Sequence, residues 1–350
     1  MTMTETVAVR AGEELPLDAL NKWLAAEAPS VGRVTAVEQF PGGFSNLTYL
    51  LKTSSGEFVL RRPPKGVSAG SAHDMGREAR ILSVCELRGI PAPRVIASTD
   101  DAAVIGTPFY VMERVRGIIL RGSSAPKGYD AAAFTALGER FLDTLIAIHG
   151  ATPSDPVIGG LGRPMGYVSR QVEGWTERWQ KSRTDDVPSV EQLAAWLEEK
   201  QPSESGACLI HNDFKYDNLV LDAQQPGKIV AVLDWEMATL GDPLLDVGTS
   251  LAYWIEAEDH PAFKSLGLGI TALPGNLTRA QLWERYLKKS GRMQRSATWY
   301  HAFGVFKVAV IAQQIYARYR KGLTTDERFA RLGDVVRLLG EFGGSVVARG

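Results

Sequence analysis

His211-Asn212-Asp213-Phe214-Lys215-Tyr216-Asp217-Asn218 brings carboxylate, ammonium and side-chain amide groups into eight consecutive residues, and Asp234 follows at the end of the apolar run Val230-Ala231-Val232-Leu233. Phosphoryl transfer asks little covalent chemistry of a protein, but it needs a few groups in fixed places. A carboxylate must orient the attacking hydroxyl and accept its proton, the role expected of Asp213. A cation must offset charge on the phosphoryl group, the role expected of Lys215. Magnesium must be held by hard oxygen ligands against the phosphates, which suits Asn218 and Asp234 at the two ends of an expected β-hairpin. His211 reads as a brace for the loop. A lone Asp before an apolar strand is usually a cap or turn residue. The contiguous pattern, followed by a hairpin that ends in Asp, carries the chemical reading.

Those groups need a nucleotide, and the N-terminal half offers residues to hold ATP. Pro41-Gly42-Gly43-Phe44-Ser45-Asn46 lies between two strand-like runs. Gly42 and Gly43 let backbone amides approach phosphate oxygens, with Ser45 and Asn46 beside them. In the strand Glu57–Arg62, the period of two puts Val59 and Arg61 on one face. That is the spacing of a kinase pair in which a small apolar residue covers adenine and a cation meets the phosphates. Glu78, on the next helix, is the expected partner of Arg61. Met112-Glu113-Arg114-Val115 ends the fifth strand and is the expected connector whose backbone, at Met112, Glu113 and Val115, bonds adenine.

These residues imply the elements that must position them. A short helix is expected from Leu17 to Ala28, strands over Val31–Phe40, Leu47–Thr53 and Glu57–Arg62, a helix over Ser71–Arg88, and strands over Arg94–Ser98 and Phe109–Glu113. Helices are expected from Ala131 to His149 and across 165–200, then a hairpin of Asn218–Asp222 and Ile229–Asp234, and helices again from Pro243 onward. The expected class is α+β and bilobal. Residues 1–115 form a small β-rich nucleotide-binding lobe with one long helix, and residues 116–350 a larger, mainly helical catalytic and substrate-binding lobe.

Composition narrows the function. With 350 residues, 45% of them hydrophobic, the chain can bury a sizeable core. A formal charge of -1 argues against binding polyanions by bulk attraction, and no nucleic-acid module is recognisable. Cys85 and Cys208 give no disulfide framework, and residues 1–14 lack the apolar core of a signal peptide. The apolar stretch from Gly304 to Ala317 is interrupted by Lys307, Gln313 and Gln314. The expectation is a cytoplasmic protein with a small hydroxyl-bearing substrate and no nucleic-acid, membrane or obligate protein partner. His149, at the end of an apolar helix, reads as structural, bonded to a carbonyl or acting as a terminal cation. His73, His260 and His301 lack metal-ligand spacing. Trp175, Trp179 and Trp196 read mainly as packing.

Taken together, Gly42-Gly43-Phe44-Ser45-Asn46, Phe58-Val59-Leu60-Arg61, Arg77-Glu78, Tyr110-Val111-Met112-Glu113, His211 to Asn218, Leu233-Asp234-Trp235-Glu236 and Gly241-Asp242-Pro243-Leu244-Leu245-Asp246 resemble the aminoglycoside phosphotransferase/choline kinase family. The resemblance covers roughly residues 30–320. It is strongest to the branch with kinase-like domains fused to acyl-CoA dehydrogenases. It implies a bilobal kinase fold, use of ATP with Mg2+, a hydroxylated small molecule as acceptor, and Asp246 as a helper of the catalytic loop. Three departures stand out. Arg61 replaces the lysine of protein kinases but can fork to a phosphate or to Glu78. Asn212 replaces the family's usual glycine and must tolerate unusual backbone angles. Only seven residues separate Asp234 from Asp242, too few for a phosphorylatable activation segment, which argues against a protein substrate.

Residues 261–350 carry 15 Lys and Arg against 5 Asp and Glu. Lys288, Lys289, Arg292, Arg295, Arg318, Arg320 and Lys321 crowd that region, so the expected acceptor is anionic or neutral, such as a hydroxyacyl thioester of coenzyme A. The alternatives are an aminoglycoside- or choline-type kinase and a nucleotide-binding scaffold without turnover. A scaffold has no need of Asp213, Lys215, Asn218 and Asp234 together.

Overall fold

The computed structural model describes residues 6–41, 46–64, 73–155, 158–263, 269–324 and 326–350. Gly42, Gly43 and Ser45 lie outside the described residues. The chain divides into two compact units, one of Met1–Ile118 with Val230–Ala238, the other of Ile119–Ile229 with Thr239–Gly350.

In the first unit, helix α1 (Leu17–Glu27) leads through a 3-10 turn (Pro29–Val31) into strand β1 (Val34–Gln39). The turn delays the strand by three residues relative to the apolar pattern, because proline at its first position favours the tight turn. Strands β2 (Leu47–Thr53), β3 (Gly56–Arg62), β4 (Val95–Thr99) and β5 (Phe109–Glu113) complete a five-stranded sheet in the order β1-β2-β3-β5-β4. The four pairings in this sheet are all antiparallel. Alternation sends Tyr49, Leu51, Leu60, Phe109 and Val111 into a core with Leu20 and Leu24 of α1. Val59 and Arg61 belong to the opposite face of β3, and Val59 pairs with Met112 of β5. Helix α2 (Met75–Leu87) packs against β4 and β5. It starts at Met75 because the Asp74 side chain accepts the Arg77 N–H at 2.8 Å and caps the first turn.

The second unit is mainly helical. Helices α3 (Ala131–His149), α4 (Tyr167–Ser182) and α5 (Pro188–Glu199) precede strand β6 (Cys208–Ile210), the catalytic-loop segment and strand β7 (Leu219–Leu221). After β7 the chain passes into the first unit through β8 (Ile229–Val232) and the turn Trp235–Met237, then re-enters the second as β9 (Thr239–Gly241), which pairs antiparallel with β6. That small sheet, absent from the sequence reading, ties the approach to the loop to the segment just before helix α6 (Pro243–Tyr253). After α7 (Pro261–Phe263) come α8 (Arg279–Ser290), α9 (Thr298–Arg320) and α10 (Leu332–Arg349). No described helix is long and apolar enough to cross a membrane.

Two glycines set the crossing of α6 and α9. A Cβ at Gly304 would lie 2.2 Å from the Gly248 carbonyl oxygen, and one at Gly248 would lie 2.2 Å from the Tyr300 carbonyl oxygen. Backbone therefore meets backbone, which side chains forbid. Asp246 of α6 and Lys307 of α9 sit within one turn of that crossing, and both reach the catalytic loop.

Candidate active site

In the first unit, Arg61 is the hub. Its side chain is 13% exposed and meets three carboxylates. Nη2 donates to Asp234 Oδ1 at 2.9 Å and to Glu236 Oε2 at 2.8 Å, while Nε lies 3.3 Å from Glu78 Oε2. Burial alone would lower the Arg61 pKa, but Glu78, then Tyr110, Asp234 and Glu236, raise it well above its usual value. Burial pushes Glu78 upward as a carboxyl, and Arg61 opposes it. Asn46 extends the chain of contacts: Nδ2 donates to Glu236 Oε2 at 2.9 Å, and Oδ1 lies 3.0 Å from His73 Nδ1. Asp234 adopts φ +65°, a left-handed conformation costly for a residue with a side chain. The turn after it is closed by Trp235 Nε1, which donates to the Val232 carbonyl at 2.8 Å.

Sequence reasoning named Arg61, Glu78, Asn46 and Asp234, and the structure brings them into one cluster. It gave no role to Glu236 or Tyr110, although the strand alternation that selects Arg61 places Tyr110 opposite it in the β3–β5 register. Val59 is buried across from Met112. Glu113 commits its N–H to the Arg94 carbonyl at 2.9 Å, and its Oε1 accepts the Arg94 N–H at 3.2 Å. Val115 is half-buried beyond β5.

The second unit holds the loop. Lys215 Nζ donates to both oxygens of Asp213, at 3.0 and 2.8 Å. Asn218 Nδ2 donates to Asp213 Oδ2 at 2.9 Å and to its main-chain carbonyl at 2.8 Å. The Lys215 ammonium lies 4.4 Å from the centre of the Tyr253 ring. Burial raises the Tyr253 pKa and nearby Asp213 adds to it, so the phenol stays protonated and donates to Asp213. Burial alone would lower the Lys215 pKa, yet Tyr253 and Asp213 carry it above the usual lysine value. Burial also raises Asp217, against the pull of Lys215 and Arg121.

The loop is anchored from below by Asp246, which is 0% exposed. Oδ1 accepts the Asn212 N–H and Oδ2 the His211 N–H, each at 2.7 Å. Burial would raise this carboxyl, but His149 and His211 hold it below its usual pKa. His149 Nε2 lies 3.1 Å from Asp246 Oδ2 and Nδ1 lies 2.6 Å from the Tyr286 hydroxyl. The helix-end histidine is thus structural, but its partner is a buried carboxylate rather than a carbonyl. His211 Nδ1 accepts the Asp213 N–H at 3.2 Å. Asn212 stands at φ +68°.

Four of the seven cations singled out by charge are spent on neighbours. Lys289 pairs with Glu139 at 2.8 Å and Asp143 at 2.6 Å, Arg292 and Arg295 donate to the Ser205 and Ser203 carbonyls, and Arg320 lies 3.7 Å from Asp185.

Residues 36–283, most of both units and all of the catalytic loop, match the family described as the phosphotransferase enzyme family. The chain belongs to that family. Its relatives include mouse acyl-CoA dehydrogenase family member 10, 32% identical over 338 residues, and mouse acyl-CoA dehydrogenase family member 11, 33% identical over 347 residues. These alignments take in 95% and 97% of this phosphotransferase-family chain, which spans 31% and 44% of the length of those two relatives. A crystal structure from Ralstonia eutropha JMP134, described as a putative aminoglycoside phosphotransferase, superimposes with a TM-score of 0.80 at 29% identity, covering 96% of this chain and 99% of that one. A thermostable mutant of the aminoglycoside phosphotransferase APH(4)-Ia, in a ternary complex with ADP and hygromycin B, gives a TM-score of 0.60 at 18% identity, covering 95% and 99%. The second likeness speaks for the fold alone. The phosphotransferase fold is α+β and protein-kinase-like, with the β-sheet N-terminal and the helical part C-terminal.

Proposed function

We propose that the chain transfers the γ-phosphate of ATP to the hydroxyl of a small anionic or neutral molecule. One observation carries this reading: the Asp213 carboxylate is clamped by Lys215 and Asn218 on a loop whose backbone is itself held by a buried Asp. Asp213 orients the acceptor hydroxyl and takes its proton. Lys215 gives up part of its hold on Asp213 to meet the phosphoryl group. Val59 covers adenine. Since the Glu113 N–H is already bonded to Arg94, the amide donor to the base is Val115, with the Glu113 carbonyl as acceptor. Asn46 would lie beside the phosphates.

Each unit offers a hard oxygen donor of the kind magnesium takes. Asp234 has one oxygen on Arg61 and a side chain 39% exposed, and the Asn218 amide turns its nitrogen to Asp213, leaving its oxygen for a hard cation. Among the described residues no group of three or more His, Cys, Asp and Glu side chains is arranged to hold a metal without the phosphates. When bound, magnesium would offset charge on the phosphate oxygens. Arg61, freed in part from its carboxylates, engages the polyphosphate.

For the acceptor, a hydroxylated acyl thioester of coenzyme A is the candidate, on the strength of the acyl-CoA dehydrogenase names of the relatives. The basic surplus of residues 261–350 lends less, because four of its cations are tied to the protein itself. The test compares ADP release from magnesium ATP in the presence of hydroxyacyl-CoA compounds and of kanamycin-type aminoglycosides. Turnover with the former is expected. Phosphorylation of aminoglycosides alone would refute the acceptor class, and tight nucleotide binding without turnover on any hydroxyl compound would favour a scaffold.

A further inference from the structure

Lys307 sits near the middle of α9, only 2% exposed, in a helix whose other buried residues are mostly apolar. A buried ammonium is expensive to desolvate and persists only where it is well bonded. Its Nζ donates to the Asn212 carbonyl at 2.7 Å and lies 3.4 Å from Asn212 Oδ1. The Trp175 ring centre is 5.6 Å away. Asn212 is one of two non-glycine residues with positive φ among the described residues, and it immediately precedes Asp213.

Each polar group of Asn212 is gripped. Its N–H goes to Asp246 Oδ1 at 2.7 Å, its carbonyl to Lys307, and its Nδ2 to the Tyr167 hydroxyl at 3.1 Å. The peptide linking Asn212 to Asp213 is thus fixed at both ends, since Lys307 takes its oxygen and His211 Nδ1 takes its N–H at 3.2 Å. A left-handed residue with a side chain returns to ordinary angles once its surroundings cease to over-determine it. A rotation of that peptide would swing the Asp213 carboxylate away from Lys215 and Asn218.

We propose that Lys307 is a positioning residue of the phosphotransferase: paired with Asp246, it clamps the left-handed Asn212 peptide from the carbonyl side and so aims Asp213. The Gly248–Gly304 crossing of α6 and α9 is what lets a carboxylate and an ammonium from two helices reach opposite ends of one residue. Where a glycine at position 212 would take φ +68° without strain, the asparagine calls for this clamp. Burial brings the pKa of the ammonium down to about 8; among nearby charges Asp213 and Asp246 oppose the drop, and Lys215 and Arg178 add to it.

The inference rests on Asp213 acting in phosphoryl transfer, and the test has one readout that does not. Lys307→Met, Lys307→Gln, Asn212→Gly and the Met/Gly double variant are compared by amide hydrogen exchange and by steady-state kinetics. Lys307→Met is expected to speed exchange at Asp213 about tenfold or more, with the α6 and α9 amides little changed. It is expected to lower kcat about 10- to 100-fold with KM for ATP within about twofold. Lys307→Gln, which keeps a donor, recovers part of both. In the Asn212→Gly background the same lysine change costs several-fold less, a coupling that simple loss of packing does not give. Wild-type exchange and kcat in Lys307→Met, equal loosening of α6, α9 and the loop, or additive effects in the cycle would each overturn the proposal. If Lys307→Met does not fold, Lys307→Gln and its double variant carry the same comparison. Should the wild-type chain lack turnover, the exchange result still decides the role of Lys307.

Discussion

Arg61 and Asn212 are both held by carboxylates, but the two regions hold them differently. Around Arg61 a single guanidinium faces Glu78, Asp234 and Glu236, and every tie is a charge pair on side chains. Asp234 is the most exposed of the three. On the proposed function a polyphosphate or a metal ion would compete for the same partners and change this arrangement. Around the Asn212–Asp213 peptide the main-chain ties are hydrogen bonds from residues that are buried: Asp246, Lys307 and His211. No incoming anion competes for a peptide N–H already bonded inside the protein. On the proposed function the contrast is a division of labour: the loop that would aim the base is set by folding, and the cluster that would meet phosphate and metal is set by charge and would yield to ligand.

The sharpest break in that comparison is on the loop. Asp213→Asn keeps the shape of the side chain and removes the base, and kcat is expected to fall on the order of 10²–10⁴ with ATP binding nearly intact. A kcat near wild type would remove Asp213 from the chemistry. A smaller effect is expected on the charge-set side. Asp234→Ala should weaken magnesium-dependent nucleotide binding by about tenfold and leave metal-free binding little changed, as a hard-oxygen ligand would. Calorimetric titration of ATP with and without magnesium measures both, and an equal loss in the two conditions would count against a metal ligand.

Much of this was legible in the residues. The catalytic loop is contiguous, so the types and spacing of Asp213, Lys215 and Asn218 show without knowledge of the fold. Period-two alternation picks out Arg61, and element order picks out Glu78. What the sequence concealed depends on distant segments. Lys307 contacts a residue 95 positions away, and within an apolar helix it reads as an interruption rather than a clamp. The His149–Asp246 pair spans 97 positions, and its geometry follows from helix packing that no local pattern encodes. Glu236 hides because Asp234 turns left-handed, which folds the next residues back onto Arg61. The basic surplus of the C-terminal helices carries little weight for a related reason: side-chain direction decides whether Lys289 meets a substrate or Glu139, and charge counts carry no direction.

Hydrogen–deuterium exchange with and without magnesium ATP tests the division between the two regions most directly. The account predicts strong protection of the His211, Asn212 and Asp213 amides already in the free protein, changed by less than about twofold on binding, while amides of β3, α2 and the Asp234–Met237 turn gain protection several-fold. A loop at 211–213 that exchanges freely until nucleotide binds, beside an unchanged Arg61 region, would contradict it.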